Sequence, residues 1–95
     1  MKHKNFFIVP NQIFEVGLEP KAFVVYCCLL RHSDKNTDNC FRSRRLIANE
    51  CSIDKKTVDS ALKELELRGL IKKVYRYREN GSRTSNMYYL ASLLE

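Results

Sequence analysis

The sequence predicts a small α+β fold: a three-helix core followed by a C-terminal β-hairpin. Three observations carry this expectation. A nearly continuous apolar stretch with helical spacing opens at Pro20. A later stretch is bracketed by Asp54 and Gly69, residue types that start and stop helices. Near the C-terminus, Asn80-Gly81 separates two runs of β-favouring residues. Hydrophobic residues make up 44% of the chain, against three glycines and two prolines, a balance that favours a packed core over disorder. With 95 residues, the expectation is a single domain over 1–95. That length lets a chain bury roughly 60–65% of its unfolded surface, so no staples are needed.

Residues 1–19 form an entry segment. Phe6, Phe7, Ile8, Ile13, Phe14 and Leu18 are apolar anchors without a clean period. A short strand or extended piece is expected, then a turn of helix near 11–16. Pro20 suits the first position of the first long helix, where its missing N–H would have no partner anyway. Ala22, Phe23, Tyr26, Cys27 and Leu30 follow helical spacing, and Val24, Val25, Cys28 and Leu29 widen the stripe. A helix so apolar belongs at the centre of a core. The stretch HSDKNTDN after it is rich in turn formers and reads as a loop.

Ser43 can cap a second, shorter helix that ends near Glu50. A turn of about three residues follows, Cys51 to Ile53. Asp54 caps the third helix, and Ile53 before the cap can staple to Val58. Val58, Ala61, Leu62 and Leu65 form its buried stripe, while Lys56, Ser60, Lys63 and Leu67 occupy the opposite face. Gly69 is expected to be left-handed, with Leu70 packing back on Leu65. Val74, Tyr75 and Tyr77, then Met87 to Leu90, favour strand, and Asn80-Gly81 between them signals a type I′ turn.

The net charge of +6 is unevenly placed. Residues 42–83 carry twelve Lys/Arg against six Asp/Glu, whereas residues 1–41 carry five against four. A basic segment suggests a polyanionic partner. The run from Phe6 to Val9 is too short for a secretion signal, and no run of about 18 apolar residues could span a membrane. Cys27, Cys28, Cys40 and Cys51 form no C-x-x-C pair and read as reduced, mostly buried cytoplasmic thiols. Cofactor and metal are expected to be absent, with a disulfide or a cysteine-based metal or redox site as the minority reading. No catalytic set or phosphate loop stands out, so the chain reads as a binding module and not an enzyme.

A short turn between two helices, the second with a polar outer face, is the helix-turn-helix arrangement. One oddity gains a meaning there. Lys55 and Lys56 occupy the first turn of the third helix, the end where the helix dipole disfavours cations. A DNA phosphate or a guanine edge at that end would offset the dipole.

The stretches CFRSRRLIANECSIDKKTVDSALKELELRGLI and NGSRTSNMYYL resemble the winged helix-turn-helix superfamily. Within it they are most similar to the helix-turn-helix domain of phage and plasmid replication proteins and to the amino-terminal domain of DnaD-type primosomal proteins. The matching residues are Ser43 as cap, Ile47-Ala48, then Lys55, Lys56, Thr57 and Val58 opening the recognition helix. Leu65, Gly69, Leu70 and Ile71 close it, and Asn86, Tyr88 and Tyr89 end the wing. Ser52, Asp54 and Arg42 stand where that family usually has Gly, Ser and Pro. The resemblance implies a helix-turn-helix over about 43–68, a wing over about 70–90, and binding of double-stranded DNA. Replication initiation or transcriptional control in a phage, plasmid or bacterium is the implied setting.

On this reading Lys56, Ser60 and Lys63, with Lys55 and Thr57, face bases or phosphates. The bland alternative is a solvated face with an Asp59–Lys63 pair one turn apart. Ser43, Arg44 and Arg45 would meet phosphate at the second helix. Arg76, Arg78 and Arg83 would grip the minor groove or the backbone; otherwise they are a charged edge that resists aggregation. Tyr75, Tyr77, Tyr88 and Tyr89 are expected to pair across the hairpin and cover the core rather than stack on bases. His3 and His32 read as surface residues. The second partner class is protein: a homodimer or a replication or regulatory complex, with Leu67, the tyrosine hairpin and the terminal ASLLE as its contacts.

Overall fold

In the computed structural model, residues 5–34, 37–82 and 86–91 are described. The elements are α1 (Ile13–Val16), α2 (Pro20–Arg31), β1 (Asn39–Phe41), α3 (Arg44–Cys51), α4 (Lys55–Leu67), β2 (Ile71–Val74) and β3 (Met87–Leu90). This is a small α+β winged helix-turn-helix. Helices α2, α3 and α4 pack on one another, and the sheet closes one side of them. Ile13, Val25, Tyr26, Leu29, Ile47, Val58, Leu65 and Tyr88 are almost wholly removed from solvent and form the centre of the core. Among the described residues no helix is long and apolar enough to cross a membrane.

The helix boundaries follow their capping chemistry. Pro20 is the first residue of α2. Its preceding amide, Glu19 N–H, donates to Glu64 Oε2 at 3.2 Å, so α4 helps to hold the start of α2. Ser43 Oγ accepts from Leu46 N–H, and Asp54 Oδ1 accepts from Thr57 N–H at 2.7 Å. Gly69 takes φ +74°. Leu70 N–H donates to Leu65 C=O and Gly69 N–H to Glu66 C=O, the paired bonds of a Schellman ending.

The turn between α3 and α4 is built the same way. Ile53 N–H donates to Ala48 C=O and Ser52 N–H to Asn49 C=O. Ser52 stands in the left-handed region at φ +59°, where a Cβ is disfavoured. Ser52→Gly should therefore stabilise the fold by about 0.5–1 kcal/mol, the relief of strain exceeding the entropy that glycine gives back. Urea denaturation should show a higher midpoint at unchanged slope.

Three features depart from the sequence expectations. First, part of the loop after α2 is a strand. β1 pairs antiparallel with β3, giving the order β1-β3-β2. Second, the wing turn is not type I′. Gly81 has positive φ but Asn80 does not. Gly81 N–H donates to Arg78 C=O and Arg78 N–H to Ser82 C=O, which makes a three-residue loop with a glycine bulge. Third, the entry segment buries only Ile13 fully; Phe6, Ile8 and Phe14 are each more than two-thirds exposed. Residues 5–10 are extended without joining a strand, and α1 is the expected single turn, with one buried residue.

β2 ends at Val74, so Tyr75 and Tyr77 lie beyond it and are exposed; Tyr89 is also mostly outside the core. Of the four hairpin tyrosines only Tyr88 is a core residue. His32 is not a plain surface residue either. Its Nε2 lies 2.8 Å from Glu50 Oε1, and Glu50 also receives Arg31 Nη1 at 2.6 Å and Arg42 Nη2 at 2.9 Å. Burial raises the Glu50 pKa, but His32 and Arg42 outweigh it and the net shift is downward. His3 lies outside the described residues.

Candidate nucleic-acid interface

The outer face of α4 follows from its buried stripe. With Val58, Ala61, Leu62 and Leu65 in the core, helical geometry turns Lys56, Ser60, Lys63 and Leu67 outward. All four are exposed, as is Lys55, while Thr57 is half-buried. Leu67 keeps 79% of its surface. The structure thus gathers Lys56, Ser60 and Lys63 on one face, with Lys55 and Thr57 to either side of it.

That face has two flanks that sequence reasoning missed. On one side, Glu19, Pro20 and Lys21 of the α2 start line a depression with Thr57 and Ser60. On the other, Lys73 of β2 and Asn86 line a depression with Arg44, Asp59, Lys63 and Glu66. Lys21 and Lys73 therefore extend the lysine array of α4 in both directions. Lys21 lies 34 positions before α4 and Lys73 six beyond its end, and the packing of α2 and β2 on α4 brings them there.

The first turn of α4 carries its own anion. The Asp54 carboxyl is held below its usual range, first by the hydrogen bond from Thr57 and further by the positive charges of Lys21 and Lys56. This is a structural part of the answer to the lysine pair: Asp54 balances Lys56 and engages one of the free amides. The sign of its pH effect follows from the lowered folded pKa. Its contribution is full above the unfolded value near 3.8 and is lost as pH falls through the folded value. Asp54→Asn keeps a cap but removes both that acid-sensitive part and a negative charge. Thermal melts from pH 7 to about pH 2 should fall less steeply for Asp54→Asn than for the parent chain.

The remaining candidates have structural partners of their own. Ser43 is engaged as the α3 cap. Arg44 forms a fork with Asp59, Nε to Oδ1 at 2.6 Å and Nη2 to Oδ2 at 2.9 Å, tying α3 to α4. Asp59 is thus paired with Arg44, not with Lys63. Arg45 is exposed beside it. The Arg76 guanidinium stacks 4.5 Å over the Phe41 ring, linking the wing to β1. The Arg78 side chain is exposed at the wing turn, and Arg83 lies outside the described residues. The four cysteines are free thiols. Burial pushes the Cys40 thiol up to about 11.

Residues 16–71 match a family profile described as a helix-turn-helix domain. No curated protein sequence matches the chain. Among solved structures, one similar chain is a "possible transcriptional regulator" from Methanosarcina mazei Go1. It has a TM-score of 0.63 and 15% identity, with 95% of this chain and 78% of that one covered. Another is the "N-terminal domain of DNA binding protein", with a TM-score of 0.65 and 19% identity, covering 97% of this chain and 78% of that one. At these identities the likeness is one of fold.

Proposed function

Because the chain belongs to a helix-turn-helix domain family, we propose that it is a double-stranded DNA-binding domain. Its α4 enters the major groove and its wing rests on the flanking backbone. The observation that carries this reading is the lysine-bearing face of α4, where Lys55, Lys56 and Lys63 are all exposed, flanked by Lys21 and Lys73. Lysines in that position neutralise phosphates and set register, while Lys56, Ser60 and Lys63 are placed to reach base edges. Arg45 and Arg78 supply further cations at the edges, and Arg83 would extend the wing contact. Ser43 and Arg44 act by holding α3 against α4 and so fix the pitch of the reading helix. Residues 1–95 act as one module of cytoplasmic replication or transcription machinery; the name carried by one of the two structural neighbours favours transcriptional control. Binding, not catalysis, is its activity.

A protein-partner reading has one observation of its own: Phe6, Ile8 and Phe14 are exposed on a different part of the surface. A nitrogen-15 NMR titration with a random duplex separates the two. Shift changes centred on Lys55 to Lys63 and on the wing are the expected result. Changes confined to the segment from Phe6 to Phe14, or none, would overturn the DNA reading.

A further inference from the structure

Cys28 and His32 stand four residues apart on α2, so their side chains share one helix face. Glu50 and Cys51 end α3 and meet that face from across the helix pair. One ligand atom each from Cys28, His32 and Glu50 all lie within 4.8 Å of one another. The Cys51 thiol faces that of Cys28 closely enough to act on its ionisation. We propose that Cys28, His32 and Glu50 form a metal site for a zinc-class divalent ion, with Cys28 Sγ, His32 Nε2 and Glu50 Oε1 as ligands and the fourth position taken by water or, after rotation of its side chain away from the Val24 carbonyl, by Cys51 Sγ.

The donor set suits that ion. Zinc takes thiolate, imidazole and carboxylate in tetrahedral arrangement, at about 2.3 Å to sulfur and 2.0–2.2 Å to nitrogen or oxygen. Ligand atoms around such a centre stand roughly 3.3–3.8 Å apart, so closing Cys28, His32 and Glu50 from within 4.8 Å of one another needs shifts of up to about 1.5 Å. Calcium and magnesium prefer all-oxygen sets and are disfavoured here.

The outer partners are also in place. His32 Nε2 lies 2.8 Å from Glu50 Oε1, so a metal would replace the proton between them. Arg31 remains on Oε2 at 2.6 Å and Arg42 on Oε1 at 2.9 Å. Hydrogen bonds of this kind orient a ligand carboxylate, and the two guanidinium charges balance the anionic ligands. Cys28 is buried, whereas the His32 side chain keeps 28% exposure, which gives an ion an entry path. The site joins the ends of α2 and α3 immediately before Ser52, so the ion would brace the turn that leads into α4. The inference does not depend on DNA binding.

The probe is cobalt(II), titrated into the reduced full chain and then displaced by zinc(II). One equivalent should produce thiolate-to-cobalt charge-transfer absorption and the intense visible bands of a four-coordinate centre, and zinc should bleach both. Zinc should also raise the melting temperature. Cys28→Ser should weaken binding by roughly 100-fold or more, beyond the 10–100-fold typical of outer partners. His32→Ala, at the exposed end of α2, serves should Cys28→Ser fail to fold, and should weaken binding likewise. Cys27→Ser should leave the spectrum unchanged. Absence of the bands, or bands that survive both Cys28→Ser and His32→Ala, would overturn the proposal.

Discussion

Leu65→Ala should lower the unfolding free energy by about 2–5 kcal/mol. Leu65 is fully buried on the inner stripe of α4, and α4 packs against α2, α3 and β2. Its truncation removes apolar burial and leaves a cavity where the surrounding helices cannot fully collapse. A domain of this size holds about 5–15 kcal/mol in total, so the variant would lose a large share of its margin. At about 4–8 °C per kcal/mol, the melting temperature should fall by roughly 8–40 °C. Urea denaturation followed by far-ultraviolet circular dichroism measures the change. A loss under about 1 kcal/mol would mean that α4 is not the hub of the core.

A chain carrying both Lys56→Ala and Lys63→Ala should bind a duplex roughly 10–100-fold more weakly at fixed salt. Both side chains are exposed, so the melting temperature should hardly move. The double change separates folding from binding: Leu65→Ala impairs the first, the lysine pair only the second. If one lysine reads a base, its single replacement should also relax discrimination at one position, whereas a phosphate contact weakens all sequences alike. Fluorescence anisotropy with the parent and both single variants distinguishes these outcomes. Unchanged affinity in the double variant would remove the α4 face from the interface.

What the sequence made legible was local. Ser43, Asp54 and Gly69 act through hydrogen bonds within a few residues and Pro20 through its ring and missing N–H, and the structure places each where its chemistry requires. Ser52 stands where the resembled family usually has Gly, and it does take a left-handed φ of +59°. What escaped was non-local. β1 is only three residues long, and it is a strand because β3 has a free edge opposite β2. The Arg44–Asp59 fork spans fifteen positions. The approach of Lys21 and Lys73 to α4, and of Glu50 to Cys28 and His32, depends on helix and sheet packing that no short pattern encodes. The wing turn failed for a subtler reason: an Asn-Gly pair serves the three-residue bulged loop as well as the two-residue one.

The central claim is that this chain binds duplex DNA through several lysine and arginine contacts. Anisotropy of a labelled random duplex over a salt series tests it most directly, because each neutralised phosphate adds roughly 0.9 to the log–log slope. The account predicts a slope near −4 or steeper, from about four or more phosphate contacts. No binding at about 50 mM salt, where non-specific affinity is strongest, would contradict it.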